Sequence, residues 1–110
     1  FLNDDTIKTE LERPPLYIGG TSVIFPFLGQ NIKFPSYAKA NEISGKVYIS
    51  FTINKEGNVS NFQVSRPVHE ILDNEAMRVV KLLPTNWTPG VLNGKTVSVV
   101  HELPINFVLR

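Results

Sequence analysis

The stretch that decides the fold is Lys46-Val47-Tyr48-Ile49-Ser50-Phe51-Thr52-Ile53. Apolar residues occupy every second position from Val47 onward, which is typical of a strand with one buried face. Turn-forming residues fill positions 54–58, and a second apolar run begins at Val59, so we predict a β-hairpin. The spacing from Val59 to Phe62 departs from the alternation and predicts a β-bulge in the second strand.

Helical patterns lie on both sides of this hairpin. After it, residues 69–83 carry one apolar stripe at helical spacing, with acidic residues early and basic residues late. Before it, residues 23–32 show a weaker helical pattern that contains Pro26, so this helix either starts near the proline or bends there. Thr21 or Ser22 is expected to cap it. Residues 36–41 are expected to add one further helical turn.

A long final strand is predicted from Thr96 to Leu109, with alternate apolar residues on one face. The order of elements is therefore α-β-β-α-β, which predicts an α+β domain. We expect a three-stranded antiparallel sheet with strand order 2-1-3 and two helices packed on one face. Pro104 supports an edge position for the last strand, because proline cannot donate to a ladder on both sides.

The composition excludes several functional classes. The chain has 110 residues and a net charge of +1, which argues against a nucleic-acid-binding protein that relies on clustered positive charge. It contains no cysteine, so disulfides, thiolate catalysis and cysteine metal sites are excluded. No stretch approaches the roughly 18 to 20 apolar residues of a membrane helix, so no membrane insertion by this fragment is expected.

No catalytic, metal-binding or cofactor-binding constellation is evident in the sequence. His69-Glu70 and His101-Glu102 each begin like the zinc-protease pattern His-Glu-x-x-His, but both lack the second histidine. No serine lies in a nucleophile elbow, and no glycine-rich phosphate loop is present. We therefore expect no enzyme, with His69 at a helix start and the ring of His101 packed among apolar neighbours.

The last predicted strand presents an edge with little protection, since only Lys95, Glu102 and Pro104 oppose pairing there. One interpretation is that a loop or the N-terminal tail covers this edge, or that the proline and the strand twist are sufficient protection. The other is that a partner strand pairs there by β-augmentation. From the residues alone, the two interpretations carry similar weight.

Read together, the motifs resemble the C-terminal domain of TonB proteins over residues 19–110. In chain order they are Gly19-Gly20, Asn31-Ile32-Lys33-Phe34-Pro35-Ser36-Tyr37-Ala38, Ile43-Ser44-Gly45-Lys46-Val47-Tyr48-Ile49-Ser50-Phe51, Glu56-Gly57-Asn58-Val59, Leu72-Asp73-Asn74-Glu75-Ala76-Met77-Arg78-Val79-Val80, Leu83-Pro84, Trp87-Thr88-Pro89-Gly90, Asn93-Gly94-Lys95-Thr96-Val97 and Leu103-Pro104-Ile105-Asn106-Phe107. Two features depart from the family pattern: Pro26 in the first helix, and Thr85-Asn86 where the family usually has one residue.

The resemblance implies a TonB C-terminal domain at residues 19–110 and an extended, proline-containing linker tail at residues 1–18. It implies the periplasmic part of a longer, inner-membrane-anchored energy transducer of Gram-negative bacteria. Its missing N-terminal part would bind the ExbB and ExbD proteins. The domain would bind the TonB box of outer-membrane TonB-dependent transporters and couple proton-motive energy to the uptake of siderophores and other nutrients.

The resemblance also implies where partners bind. The TonB box would pair with the last strand, for which the expected contact residues are Thr96, Val97, Ser98, Val99, Val100, His101, Glu102 and Leu103. A second contact maps to Asn31, Ile32 and Lys33. The remaining motif residues are expected to fix core and turn geometry: Phe34, Pro35, Trp87, Pro89 and Gly90.

Two further questions stay open at this point. The alternative function is that of a binding module. Similar domains form the C-terminal part of membrane-bound sensor or peptidase-like proteins, where they would bind a partner without transmitting force. The open edge also permits a homodimer formed by strand exchange or edge pairing.

Overall fold

The computed structural model describes residues 11–109. In chain order the elements are β1 (Leu16–Tyr17), α1 (Thr21–Asn31), α2 (Ser36–Ala40), β2 (Gly45–Ile53), β3 (Val59–Arg66), α3 (Glu70–Leu82), β4 (Trp87–Thr88), β5 (Gly90–Leu92), β6 (Lys95–Val97) and β7 (Val99–Phe107). The mixed α+β architecture agrees with the prediction, and α2 is the extra helical turn expected after α1.

The main sheet is antiparallel with the order β3-β2-β7. This confirms the predicted order 2-1-3 with the last strand at an edge. The central strand β2 pairs with β7 without interruption, from Gly45 opposite Phe107 to Ile53 opposite Val99. Its alternating apolar residues are almost fully buried beneath the helices, which explains why this strand carries the strongest signal in the sequence: Val47, Ile49, Phe51 and Ile53.

The other outer strand, β3, is irregular. Its register against β2 shifts twice, once between the partners of Tyr48 and Ile49 and once between those of Ser50 and Thr52. Asn61 lies at the second shift and has a positive φ of 56°. The predicted bulge is therefore confirmed, and a second one precedes it along the pairing.

Helix α3 begins where the sequence predicts, and its start is capped by His69. The ring Nδ1 of His69 accepts a hydrogen bond from the backbone N–H of Ile71 at 3.2 Å. Helix α1 begins five residues before Pro26, with Gly20 at its N-cap, and its cap makes no side-chain hydrogen bond. The expected Thr21 or Ser22 cap is wrong, because the Ser22 hydroxyl donates backwards to the carbonyl of Gly19 instead.

The predicted final strand from Thr96 to Leu109 is divided in the structure. Residues Lys95–Val97 form β6, which pairs with β5, and β7 starts only at Val99. The turn at Asn93-Gly94, where both residues have the positive φ (53° and 76°) that a type I′ hairpin requires, pairs β6 with β5. The alternation of apolar residues continues across both strands, so periodicity alone predicts a single long strand.

Residues 12–17 form an N-terminal strap that lies along β4 and β5. Leu16 and Tyr17 pair with Thr88 and Trp87, and Arg13 bridges to Val91. The Tyr17 ring is 5% exposed, and its hydroxyl donates to the carbonyl of Pro84 at 2.9 Å. The boundary between linker tail and domain at residue 18 stays a prediction, but the strap is packed on the domain. Residues 1–10 of the predicted tail lie outside the described residues.

Candidate functional site

The outer edge of β7 is the candidate site. On one side β7 pairs with β2, and within residues 11–109 no strand pairs with its other side. In an antiparallel ladder, alternate residues direct their N–H and C=O groups toward or away from the neighbour. Pro104 has no N–H, so its position fits the outward set, which then includes Val100, Glu102 and Asn106. Within residues 11–109, the edge thus offers a row of backbone groups with no strand partner, in which Pro104 contributes only its carbonyl.

The structure places the expected edge contacts in two strands. Val99, Val100, His101, Glu102 and Leu103 lie in β7, at the open edge. Thr96 and Val97 instead lie in β6 and pair with Val91 and Gly90, while Ser98 lies between the two strands. A strand added to β7 would therefore meet five of the eight expected residues directly.

The expected second contact lies at the end of α1. There Arg78 donates to the Asn31 carbonyl at 2.9 Å, and the backbone N–H of Lys33 donates to Glu75 at 2.6 Å. Glu75 also accepts two hydrogen bonds from Arg78. These hydrogen bonds, with Arg78 first, lower the pKa of the Glu75 carboxyl. The arrangement ties the end of α1 to α3, and Ile32 stays partly exposed beside it.

His101 belongs to a cluster of aromatic side chains on the same face of the sheet as Phe51. Its ring centroid lies 4.9 Å from that of Trp87 and 5.8 Å from that of Phe51. Burial lowers the pKa of His101, and the neighbouring charge of Glu102 partly opposes this shift. The expectation that this ring packs among apolar neighbours is confirmed, and His69 acts as the helix cap described above.

The other motif residues occupy structural positions. Trp87 packs against Tyr17 and Phe51, with ring centroids 5.1 and 5.6 Å away. Phe34 lies edge-on to Phe107 at 5.8 Å. These contacts agree with the expected role of the aromatic residues in core geometry.

Sequence reasoning did not identify the groove between α1 and β7. Its volume is about 340 Å³. One side is lined by the stripe Phe25, Leu28, Gly29 and Ile32, the last of which directly follows α1. The other side is lined by Pro104, Ile105 and Asn106 of β7 and by Lys46 of β2. The i, i+3, i+4, i+7 spacing of the stripe is present in the sequence, but nothing there shows that β7 stands opposite. We call this space the α1–β7 groove.

The described part of the chain shows neither a metal-ligand cluster nor a membrane-spanning helix. Within residues 11–109, no three His, Asp or Glu side chains are grouped so that they could hold a metal ion. In the same range, no helix is long and apolar enough to cross a membrane. What the arrangement offers a ligand is backbone hydrogen bonding at the β7 edge and apolar contact in the α1–β7 groove.

Comparison with known proteins identifies the family. The family model "Gram-negative bacterial TonB protein C-terminal" matches residues 30–109. No curated protein sequence matches the chain significantly. Among solved structures, the chain is similar to the TonB C-terminal domain of Helicobacter pylori (residues 194–285), with 28% identity and a TM-score of 0.56 over 79% of this chain and 90% of that one. A longer solution structure of that domain (residues 179–285) matches with 25% identity and a TM-score of 0.53, over 79% of each chain. The chain therefore belongs to the family of TonB C-terminal domains of Gram-negative bacteria.

Proposed function

We propose that this domain binds the TonB box of outer-membrane TonB-dependent transporters as an added strand on the outer edge of β7. The single observation that carries the proposal is that open edge, a nine-residue strand with no neighbour on one side within residues 11–109. The box would pair with Val99–Leu103, and residues 31–33 would form a second contact.

Membership of the family supports the choice of partner. The family is one of non-enzymatic energy-transducer domains, which lie in the periplasm and interact with TonB-dependent receptors. Within this family context, the longer protein would be anchored in the inner membrane and driven through ExbB and ExbD. The function would then be to couple proton-motive energy to the uptake of siderophores and other nutrients.

The chemistry of the edge also supports the proposal. Backbone hydrogen bonds do not depend on the partner's side chains, so one edge can accept boxes of different sequence. Several parallel hydrogen bonds also share an applied load, which a single side-chain contact cannot do. No observation on residues 11–109 favours the alternative role as a sensor or peptidase-like binding module.

The test modifies the backbone of the peptide and leaves the domain unchanged. A synthetic TonB-box peptide is prepared with N-methyl groups on its odd-numbered amides or on its even-numbered amides. In an added strand only one of these sets faces β7. We expect one N-methylated peptide to lose binding and the other, a matched control, to bind like the unmodified peptide.

Binding is followed through backbone amide shifts of the isotope-labelled 110-residue chain. The largest shifts are expected at residues 99–103, with smaller ones at 31–33. Equal loss of binding from both N-methyl sets, or shifts concentrated away from β7, would overturn strand addition. Strand addition would also be overturned if no backbone amide shifted at about millimolar peptide, because even a short segment that orders on binding should bind detectably at that concentration.

A further inference from the structure

The α1–β7 groove lies on the helix-covered side of the open edge. Leu103 and Ile105 of β7 point into the core beneath the helices, and residues of α1 line the groove that borders Pro104–Asn106. A second depression extends the groove along Gly29, Ile32 and Asn106. A strand added to β7 would project every second side chain to this same face of the sheet. Those side chains would come to lie under α1.

Gly29 is not explained by the fold. It lies inside α1, where glycine is unfavourable relative to alanine. Its φ is not in the left-handed region, and a Cβ built on it meets no atom within 4 Å. Neither backbone conformation nor packing within the described chain therefore requires a glycine at this position. The residue borders the groove, so its missing side chain keeps space open there.

Phe25 points to the same conclusion. It lies one helical turn before Gly29 and is 46% exposed, although it is a large apolar side chain. Two turns after Phe25, Ile32 is only partly covered. The aromatic ring of Phe25, the open space at Gly29 and the aliphatic side chain of Ile32 form an apolar side of the groove, which suits an apolar side chain of a ligand. Lys46 and Asn106 supply the polar part of the lining.

We propose that the α1–β7 groove receives one large apolar side chain of the segment that pairs with β7. This proposal rests on the proposed function and adds a specificity element to it. The residue concerned is the one that would lie beside Pro104–Asn106, just beyond the five residues that pair with Val99–Leu103. The backbone edge would then accept many sequences, and the groove would select those with a bulky apolar residue at this position.

The decisive variant is Gly29→Leu, which fills the groove from α1. Leucine is a good helix former, so the variant is expected to fold and to melt no lower than the wild type. The matched control is Gln30→Leu, an equally apolar change at an exposed neighbour that does not line the groove. The probes are a synthetic TonB-box peptide and its variants in which each apolar residue in turn is replaced by alanine.

Amide-shift titrations give the dissociation constants. We expect Gly29→Leu to weaken binding of the unmodified peptide about tenfold or more, the usual effect of losing one well-seated apolar side chain. One of the alanine-substituted peptides should bind the wild-type domain about tenfold more weakly than the unmodified peptide does. The affinity of this peptide should fall little further when the domain carries Gly29→Leu. Gln30→Leu should change neither affinity by more than about twofold.

The outcomes separate the groove from the edge. If Gly29→Leu binds every peptide as wild type does, while residues 99–103 still shift, the groove proposal is overturned and strand addition stands. If the wild-type chain binds none of the peptides, the proposed function falls and the groove proposal falls with it. Additive losses in the peptide and protein variants would also contradict a direct contact.

Discussion

Replacing Tyr17 with alanine tests whether the N-terminal strap is part of the folded domain. The Tyr17 ring packs edge-on against Trp87 at 5.1 Å and is 5% exposed, whereas its neighbour Leu16 is 58% exposed. Both lie in the same two-residue strand, β1. Tyr17→Ala and Leu16→Ala therefore form a matched pair, in which the same backbone loses either a buried or an exposed side chain.

The magnitude follows from the contacts. A buried aromatic ring removes about 200 Å² from water, worth about 5 kcal/mol at about 25 cal/mol per Å². This is an upper value, because the unfolded chain already buries part of that area and alanine retains some of it. We expect Tyr17→Ala to lower the free energy of unfolding by about 3 kcal/mol and Leu16→Ala by less than about 0.5 kcal/mol.

The assay is urea unfolding followed by the fluorescence of Trp87, the single tryptophan of the chain and a direct neighbour of Tyr17. Tyr17→Phe keeps the ring and removes the hydroxyl, with its hydrogen bond to the Pro84 carbonyl and its hydrogen-bond interaction with the Asn86 side chain, and should cost about 1 kcal/mol. Equal stabilities of Tyr17→Ala and Leu16→Ala would refute the reasoning, since the strap would then contribute nothing to the cooperative unit.

Two further predictions concern the core around the aromatic cluster. A Cβ at Gly90 would lie 2.7 Å from Cγ2 of the buried Val99, so Gly90→Ala should destabilise the domain by about 1–3 kcal/mol in urea unfolding. Adding Val99→Ala should make the cost of Gly90→Ala smaller than in the wild-type background, and an unchanged cost would contradict the clash. Burial lowers the pKa of His101 below its ordinary value of 6.5, so the unfolded chain takes up a proton before the folded one does. The stabilisation is thus complete above about pH 6.5 and is lost as the pH falls through the depressed folded-state pKa; His101→Gln should flatten this decline between about pH 7 and about pH 5, whereas parallel curves would argue against it.

Much of the fold could be predicted because its signals are local. The alternation in residues 47–53 arises from burial of one face of β2, and the stripe on α3 arises from packing on the same sheet. The edge position of β7 followed from Pro104, and the bulge in β3 followed from the spacing of Val59 and Phe62. Each of these features leaves a periodic or chemical trace within about ten residues of sequence.

The remainder depends on contacts between distant parts of the chain. The strap pairs Tyr17 with Trp87, seventy positions later. Nothing in the sequence Leu16-Tyr17-Ile18 indicates that the tyrosine is buried while its two apolar neighbours are exposed. Likewise, the apolar stripe on α1 was visible, but its distance from β7 was not. The groove exists because α1 and β7 do not close against each other, and no sequence pattern records such a gap.

The bulges of β3 have a consequence for stoichiometry. A three-stranded sheet has two edges, and an edge that is bulged and twisted is a poor template for a further strand. Here the β3 edge carries two register shifts, whereas β7 pairs with β2 without one. Within residues 11–109, the β7 edge is therefore the better template for a further strand. Under the proposed strand addition, one peptide, or the β7 edge of a second copy, would complete the sheet, and the bulges of β3 would disfavour edge-to-edge assembly into a fibre.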